Sequence, residues 1–411
     1  MSLTANSSTD FSKLRVGIVH YWLHGHGGGE RVVEALAGMF PQADLFAAIA
    51  DPDHVPIPLR SHRLTTSFLQ KIPGCQRFYK YLLPLHPMAL ENLDLSGYDL
   101  IVSSESGPAK GILCPARSCH ICYCHTPMRY IWDMYRDYRL GLPFGVRSLF
   151  SLGAHYMRLW DTISASRVDY FVANSYNVAS RIRRCYQRDS VVIHPPAAIE
   201  GASVASQIGD YYLVVSRLTE YKRIDLAIGA CMQLGRRLRI AGDGDQYRYL
   251  RRIAGAGIDF LGFISDEEVM QNYAHCRALL FPGDEDFGLA PVEAQSFGRP
   301  VIALGKGGAL ETVVGAWGND HWTPDAPTGV FFAEQKVESI VDAIRYFESI
   351  EGCFDPRLIQ AQAQRFSLSR FRSDLFDFID RAFLEHASLY HREGTRRQAG
   401  TDRVRQEMLE S

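Results

Sequence analysis

Short runs rich in β-branched and aromatic residues alternate with helix-like stretches along this sequence, and the alternation occurs twice, with a break in the middle. A chain that returns to a helix after every strand builds a parallel sheet covered on both faces, because parallel neighbours need a long crossover. In the first round the strand candidates are 16–21, 44–49, 100–103, 120–124, 170–173 and 191–194. In the second they are 212–215, 238–241, 259–261, 278–281, 301–303 and 330–332. Between them, 195–210 shifts to Pro, Ala, Gly and Ser and reads as a linker. A length of 411 residues exceeds one ordinary core and fits two. The expected fold class is therefore α/β, with two Rossmann-like halves that bind ligands at the carboxyl ends of their strands.

Composition removes some classes of partner. A net charge of −2 gives no electrostatic reason to expect nucleic acid. The polar stretch Met1 to Asp10 has neither a basic leader nor an apolar core, so no secretory signal is expected. No apolar run reaches the roughly 18–20 residues of a spanning helix. A cytoplasmic protein is expected, and its nine cysteines are expected to be reduced. Cys114, Cys119, Cys122 and Cys124, interleaved with His120 and His125, can be read as a zinc cluster or as small residues of a buried strand. The strand reading is preferred because 121–124 lacks paired C-x2-C arms, so no metal is expected.

The most informative stretch runs Phe281-Pro-Gly-Asp-Glu285-Asp-Phe287-Gly288-Leu289-Ala-Pro291-Val-Glu293. A strand ends at Phe281, and Pro291 suits the first position of a new helix. The amides of Gly288, Leu289 and Ala290 would then surround a helix N-terminus, where free N–H groups favour a phosphate. Glu293, expected in the first turn, can accept both hydroxyls of a ribose; its plain alternative is a carboxylate complementing the helix dipole. Glu285 can bind sugar hydroxyls or simply be a solvated charge. Directly after the strand 212–215, Arg217 offers a planar fork and Lys222 a point charge, both suited to a diphosphate. Such cations can also be ordinary surface charges.

The Arg217/Lys222 pair followed by Glu285-x7-Glu293 in a loop-to-helix setting resembles the retaining family 4 glycosyltransferases. The likeness extends from Val16 to about Phe383. Its other landmarks are Gly27-Gly28-Gly29-Glu30-Arg31, Cys124-His125-Thr126-Pro127 and Ala241-Gly242-Asp243-Gly244. The resemblance implies the GT-B fold: two Rossmann-like domains facing across a cleft, with a C-terminal helix returning to the first. The implied boundaries are 14–197 for the acceptor domain, 211–365 for the nucleotide-sugar domain, 366–390 for that helix and 391–411 for a charged tail. It implies that Arg217 and Lys222 bind the diphosphate, Glu285 the transferred sugar and Glu293 the ribose. Phe287, Gly288 and Leu289 would complete the donor loop, and Gly28 and Gly29 would bring amides near phosphate or acceptor. His125 would lie by the reacting carbon, and Gly242, Phe263 and Ile264 would flank the base. Arg223 departs from the family, which often has Gly there.

Within the family, Gly28-Gly-Glu-Arg-Val32, Cys124-His-Thr-Pro-Met-Arg-Tyr-Ile-Trp-Asp133 and Tyr221-Lys-Arg-Ile-Asp225 are similar to the WbaZ-like mannosyltransferases of O-antigen and exopolysaccharide assembly. That likeness implies GDP-mannose as donor and a lipid-linked saccharide as acceptor; UDP-glucose or another sugar nucleotide is the alternative. The segment 129–167 mixes arginines with Trp132, Tyr135, Tyr138, Phe144, Phe150, Tyr156 and Trp160. This suits peripheral contact with the inner face of an anionic membrane, or equally aromatics facing a core beneath solvated arginines. Four rival readings fit the sequence less well. A nucleotide-sugar epimerase fits the cation pair and E-x7-E less well. A phosphorylase needs a pyridoxal lysine, for which no candidate stands out. A solute-binding protein, which would bind sugar nucleotide without consuming it, would carry an export leader. A dehydrogenase fails because G-x-G-x-x-G is absent after the first strand.

Overall fold

The computed structural model describes residues 9–25, 27–317 and 326–409, with side chains as far as 389. The chain divides into two compact units. One comprises Met1–Asn174, Val178–Ile193 and Arg372–Ser411; the other comprises Ser175–Asn177 and His194–Phe371.

The N-terminal unit holds β1 (Val16–Leu23), β2 (Asp44–Ala50), β3 (Leu64–Thr66), β4 (Leu100–Glu105), β5 (Cys119–Cys124), β6 (Tyr170–Ala173) and β7 (Ser190–Val192). All pair in parallel in the order β3-β2-β1-β4-β5-β6-β7. Every residue of β4 and β5 is buried, as expected of strands covered on both faces. The C-terminal unit repeats the design with β8 (Tyr212–Val215), β9 (Leu238–Ala241), β10 (Ile258–Gly262), β11 (Leu279–Phe281), β12 (Val301–Leu304), β13 (Gly315–Trp317) and β14 (Gly329–Phe332). Their order is β10-β9-β8-β11-β12-β14-β13. Successive residues feed opposite faces: Val214, Leu280, Ile302 and Val330 enter one core, while Leu213, Leu279, Ala303 and Phe331 enter the other.

In both sheets the strand order reverses beside the first strand, between β1 and β4 and between β8 and β11. Crossovers on the two sides of that point leave the sheet in opposite directions and open a crevice at the carboxyl ends. The fold thus nominates one position in each unit.

Several expectations need adjustment. The edge strands β3 and β13 were not anticipated, and β7 begins one residue before its predicted span and ends at Val192 rather than 194. The stretch read as a linker is built into the C-terminal unit. There Ala197 and Ile199 pack with Phe287, Val292 and Phe366, and the Ala197 amide donates to the Phe366 carbonyl at 3.0 Å. The C-terminal helix runs Leu368–Leu409, past the predicted end at 390, and the side chains of the predicted tail 391–411 lie outside the described residues. From Arg372 onward it belongs with the N-terminal unit, where Phe376 and Phe383 meet Phe11 at 5.4 and 5.9 Å between ring centroids. Among the described residues no helix is long and apolar enough to cross a membrane.

Candidate active site

In the C-terminal unit, the predicted residues gather at the nominated point. Arg217 and Lys222 follow β8, and Glu285 follows its neighbour β11. Arg217 is exposed. The Lys222 ammonium forms an ion pair with the Glu285 carboxylate, and both side chains are largely buried. Burial works against the ammonium, but the charges of Glu285, Tyr221 and Asp286 outweigh it and raise its pKa. Lys222 is therefore a fixed cation at neutral pH. A Cβ at Gly283 would come within 3.2 Å of the Lys222 backbone, so the glycine is what lets the two loops meet.

The helix expected after β11 spans Leu289–Ser296. It opens from Gly288 at φ 89°, a left-handed conformation that glycine adopts without strain, and no side chain caps it. The start two residues earlier than predicted puts Pro291 third in the helix and Glu293 fifth, beyond the first turn. Glu293 is half-buried and accepts the Tyr273 hydroxyl at 3.0 Å. Phe287 is placed differently from its donor-facing expectation: its ring is buried against His194 and Phe366, each 5.4 Å away. Only its backbone is left to the loop. Leu289 is half-buried.

Gly242 (φ 131°) shows why its position needs glycine, since a Cβ there would overlap the Ser216 carbonyl. Its amide donates to the Gly262 carbonyl at 2.8 Å, joining the loops after β9 and β10. Next in chain, Phe263 is 90% exposed and Ile264 half-buried, an open aromatic face suited to stacking on a base. Arg223, the departure noted above, adopts φ 52° and ψ 39°, the left-handed conformation that a glycine would accept freely. Its guanidinium is held by both Asp225 oxygens at 3.1 and 3.0 Å.

The N-terminal unit presents a different chemistry at its own crevice. The helix Gly28–Met39 starts after β1 with no side-chain cap. A Cβ on Gly29 would press to 3.3 Å on the His20 ring, while His125 Nε2 at 3.7 Å lies at ordinary contact distance. His20 Nδ1–H donates to the Ser104 carbonyl at 3.0 Å, and the Ser104 hydroxyl bonds His125 Nε2 at 2.9 Å. With Nδ1 as donor, His20 Nε2 is a bare lone pair, buried and, among the described residues, without a hydrogen-bond partner. Burial lowers the His20 pKa to about 4; burial and neighbouring His20 lower that of His125 to about 3. Both rings are neutral at pH 7.

Sequence reasoning missed three features. His20 and Ser104 lie on strands whose other residues are core. Beneath them Lys110 is fully buried between Glu105 and Asp161; its ammonium lies 2.9 Å from Glu105 and also pairs with Asp161. Gly305-Lys306-Gly307-Gly308 follows β12 and packs on the donor loop, Gly308 N–H donating to the Glu285 carbonyl at 2.9 Å. Side chains at Gly307 or Gly308 would strike Glu285 and Phe287. A glycine-rich turn directly after a predicted strand was the available signal.

The comparisons with known proteins bear on the family and the fold. Residues 26–200 match the family described as Glycosyltransferase Family 4, and residues 203–365 match Glycosyl transferases group 1. The chain belongs to the family 4 glycosyltransferases of GT-B type. Similar curated proteins include mouse alpha-1,3/1,6-mannosyltransferase ALG2, 23% identical across 71% of this chain and 76% of that one. Glycogen synthase of Pseudomonas aeruginosa is 31% identical across 43% of this chain; the chain spans only about a third of its length, 34%. Among solved structures, Anabaena Alr3699/HepE in complex with UDP and glucose aligns with a TM-score of 0.65. It is 16% identical and covers 89% of this chain and 99% of that one, a likeness of fold. Sucrose-phosphate synthase from Thermosynechococcus elongatus gives a TM-score of 0.65 at 18% identity, covering 90% and 100%.

Proposed function

We propose that this glycosyltransferase moves mannose from GDP-mannose to a lipid-linked saccharide with retention of configuration and without a catalytic metal. The observation that carries the reading is the Lys222–Glu285 ion pair where the strand order of the C-terminal sheet reverses. It puts a permanent cation beside a carboxylate, the two charges that a sugar diphosphate needs at its leaving phosphate and its sugar hydroxyls. As the bond from anomeric carbon to phosphate oxygen breaks, negative charge grows on the departing nucleoside diphosphate. Lys222 and Arg217 meet that charge, as a metal ion would. Glu285 accepts hydrogen bonds from the sugar and Glu293 from the ribose. The acceptor hydroxyl adds on the face the diphosphate leaves, and its proton passes to the leaving phosphate oxygen. Neutral His125 hydrogen-bonds the sugar rather than acting as an acid. A mannosyl donor is favoured by the motifs shared with mannosyltransferases and by the likeness to ALG2.

The test is a panel of sugar nucleotides with EDTA present, scored for thermal stabilisation and for transfer or hydrolysis. GDP-mannose is expected to stabilise the protein and be consumed. Preference for UDP-glucose would replace the donor while keeping the reaction. Stoichiometric binding without turnover on any acceptor would favour a binding protein and overturn catalysis.

Membrane contact forms the second part of the proposal. On the helix Phe144–Ala165, Leu149, Leu152, Tyr156, Leu159 and Ile163 recur at helical spacing and are all exposed, as is Phe144. The arginines instead turn to the protein: Arg147 binds the Leu140 and Leu142 carbonyls, and Arg158 the Ile131 carbonyl. Such a face suits the interfacial layer of a bilayer. Flotation with anionic liposomes at low salt is expected to recover the protein, and Leu149→Glu with Leu152→Glu to abolish recovery. No flotation of the parent chain removes the claim.

A further inference from the structure

Cys119, Asp169 and His386 come from three separate segments of the N-terminal unit, yet one ligand atom of each lies within 4.8 Å of the other two. Cys119 opens β5, Asp169 immediately precedes β6, and His386 lies on the C-terminal helix. We propose that this trio binds one divalent zinc-type cation that fastens the C-terminal helix to the sheet.

Two features of the trio point to a ligand set. His386 Nε2 faces the Arg117 carbonyl at 3.3 Å, which can only accept, so Nε2 carries the hydrogen. His386 Nδ1 faces Asp169 Oδ2 at 3.7 Å, a spacing that one cation lying between them would bridge. A ring that donates from one nitrogen to a backbone carbonyl and offers the other inward is how metal-bound histidines are oriented. Asp169 is anchored as well: Oδ2, the oxygen that faces His386, accepts the His120 amide at 2.8 Å.

The chemistry and the access agree. Sulfur, imidazole nitrogen and carboxylate oxygen together suit Zn²⁺, with the fourth position left to water. The Cys119 and His386 side chains are buried, while that of Asp169 is 38% exposed and gives the cation a way in. On binding, the thiol proton of Cys119 leaves to solvent and the sulfur–metal bond replaces it.

This site serves stability rather than turnover. Cys119 starts the strand whose carboxyl end leads to His125, so the trio sits at the opposite edge of the sheet from the reacting groups. Three ligands on β5, before β6 and on a helix more than 200 residues later would close a long loop, which ordinary packing alone must otherwise hold.

The experiment loads the purified full chain with Co²⁺, a spectroscopic stand-in for Zn²⁺. The expected result is one equivalent bound, with a thiolate-to-cobalt charge-transfer band that Zn²⁺ displaces. Cys119→Ser and His386→Asn, each checked for native circular dichroism, are both expected to lose the band; Cys122→Ser is expected to keep it. Zn²⁺ is expected to raise the thermal midpoint of the parent chain but not that of His386→Asn. Absence of the band at saturating Co²⁺, or its survival in both ligand variants, would overturn the site.

Discussion

The two units place their candidate groups at the same point of the same topology, yet one crevice is charged and the other neutral. In the C-terminal unit, Arg217, Lys222, Glu285 and Glu293 are partly open to solvent. In the N-terminal unit the equivalent point is lined by His20, Ser104 and His125, joined by two hydrogen bonds of 3.0 and 2.9 Å and held neutral by burial. A Rossmann-like sheet fixes where a ligand goes; the side chains at the first crossing decide which part of it is bound. Charge suits a diphosphate. Neutral donors and acceptors suit hydroxyls.

The deepest cut at this contrast is Lys110→Met. Lys110 pairs with both Glu105 and Asp161, and removing it leaves two buried carboxyl groups without that counter-charge. Breaking such a cluster costs about 3–5 kcal/mol. Glu105 also accepts the His125 amide through its carbonyl, so turnover should fall with stability. Urea unfolding measures the first; a loss below about 1 kcal/mol would mean the network is not holding the strand end.

Next comes Lys222→Ala, the corresponding cut in the charged crevice. Turnover should fall by about two orders of magnitude, roughly 2.7 kcal/mol of lost charge stabilisation. Near-normal kcat at saturating donor would strip Lys222 of its role.

Acid separates the two sites without mutation. The His20 pKa is about 4 in the folded chain against 6.5 for the ordinary residue, so the unfolded state takes the proton first. The stability held by the neutral ring is complete above pH 6.5 and is lost as pH falls from there through 4, about 2 kcal/mol by pH 5. The Lys222 pKa is raised instead, so its contribution is present throughout this range and is lost only in strong alkali. His20→Asn, which can still donate to the Ser104 carbonyl, should flatten the thermal-midpoint slope between pH 7 and 5. An unchanged slope would contradict the buried neutral ring.

How much of this was legible in the sequence follows the same division. The charged crevice could be read because Arg217, Lys222, Glu285 and Glu293 sit at fixed offsets from strand ends. What local pattern could not supply was the start of the helix at Leu289, set by the positive φ of Gly288, and the turning inward of Phe287. The neutral crevice was nearly invisible. His20 and Ser104 look like core, and Lys110 meets Asp161 from 51 positions away, where charged residues are normally read as solvated. The missed strands β3 and β13 are edge strands of three residues each, too short for periodicity to mark.

Arg223 gives the finest test of the charged side, because it holds a backbone conformation foreign to its type one residue from Lys222. Left-handed geometry costs a non-glycine residue about 1–2 kcal/mol. Glycine would remove that cost but lose about 0.4–1 kcal/mol through the looser unfolded chain, and up to about 1 kcal/mol from the part-exposed Asp225 pair. These effects nearly cancel, so Arg223→Gly should unfold within about 1 kcal/mol of the parent and keep its donor KM. Arg223→Val relieves nothing and adds a β-branched side chain where φ is positive, so it should lose about 1–2 kcal/mol. Because the turn carries Lys222 toward Glu285, the valine variant should also raise the donor KM; equal behaviour of the two variants would mean that the turn does not position the lysine.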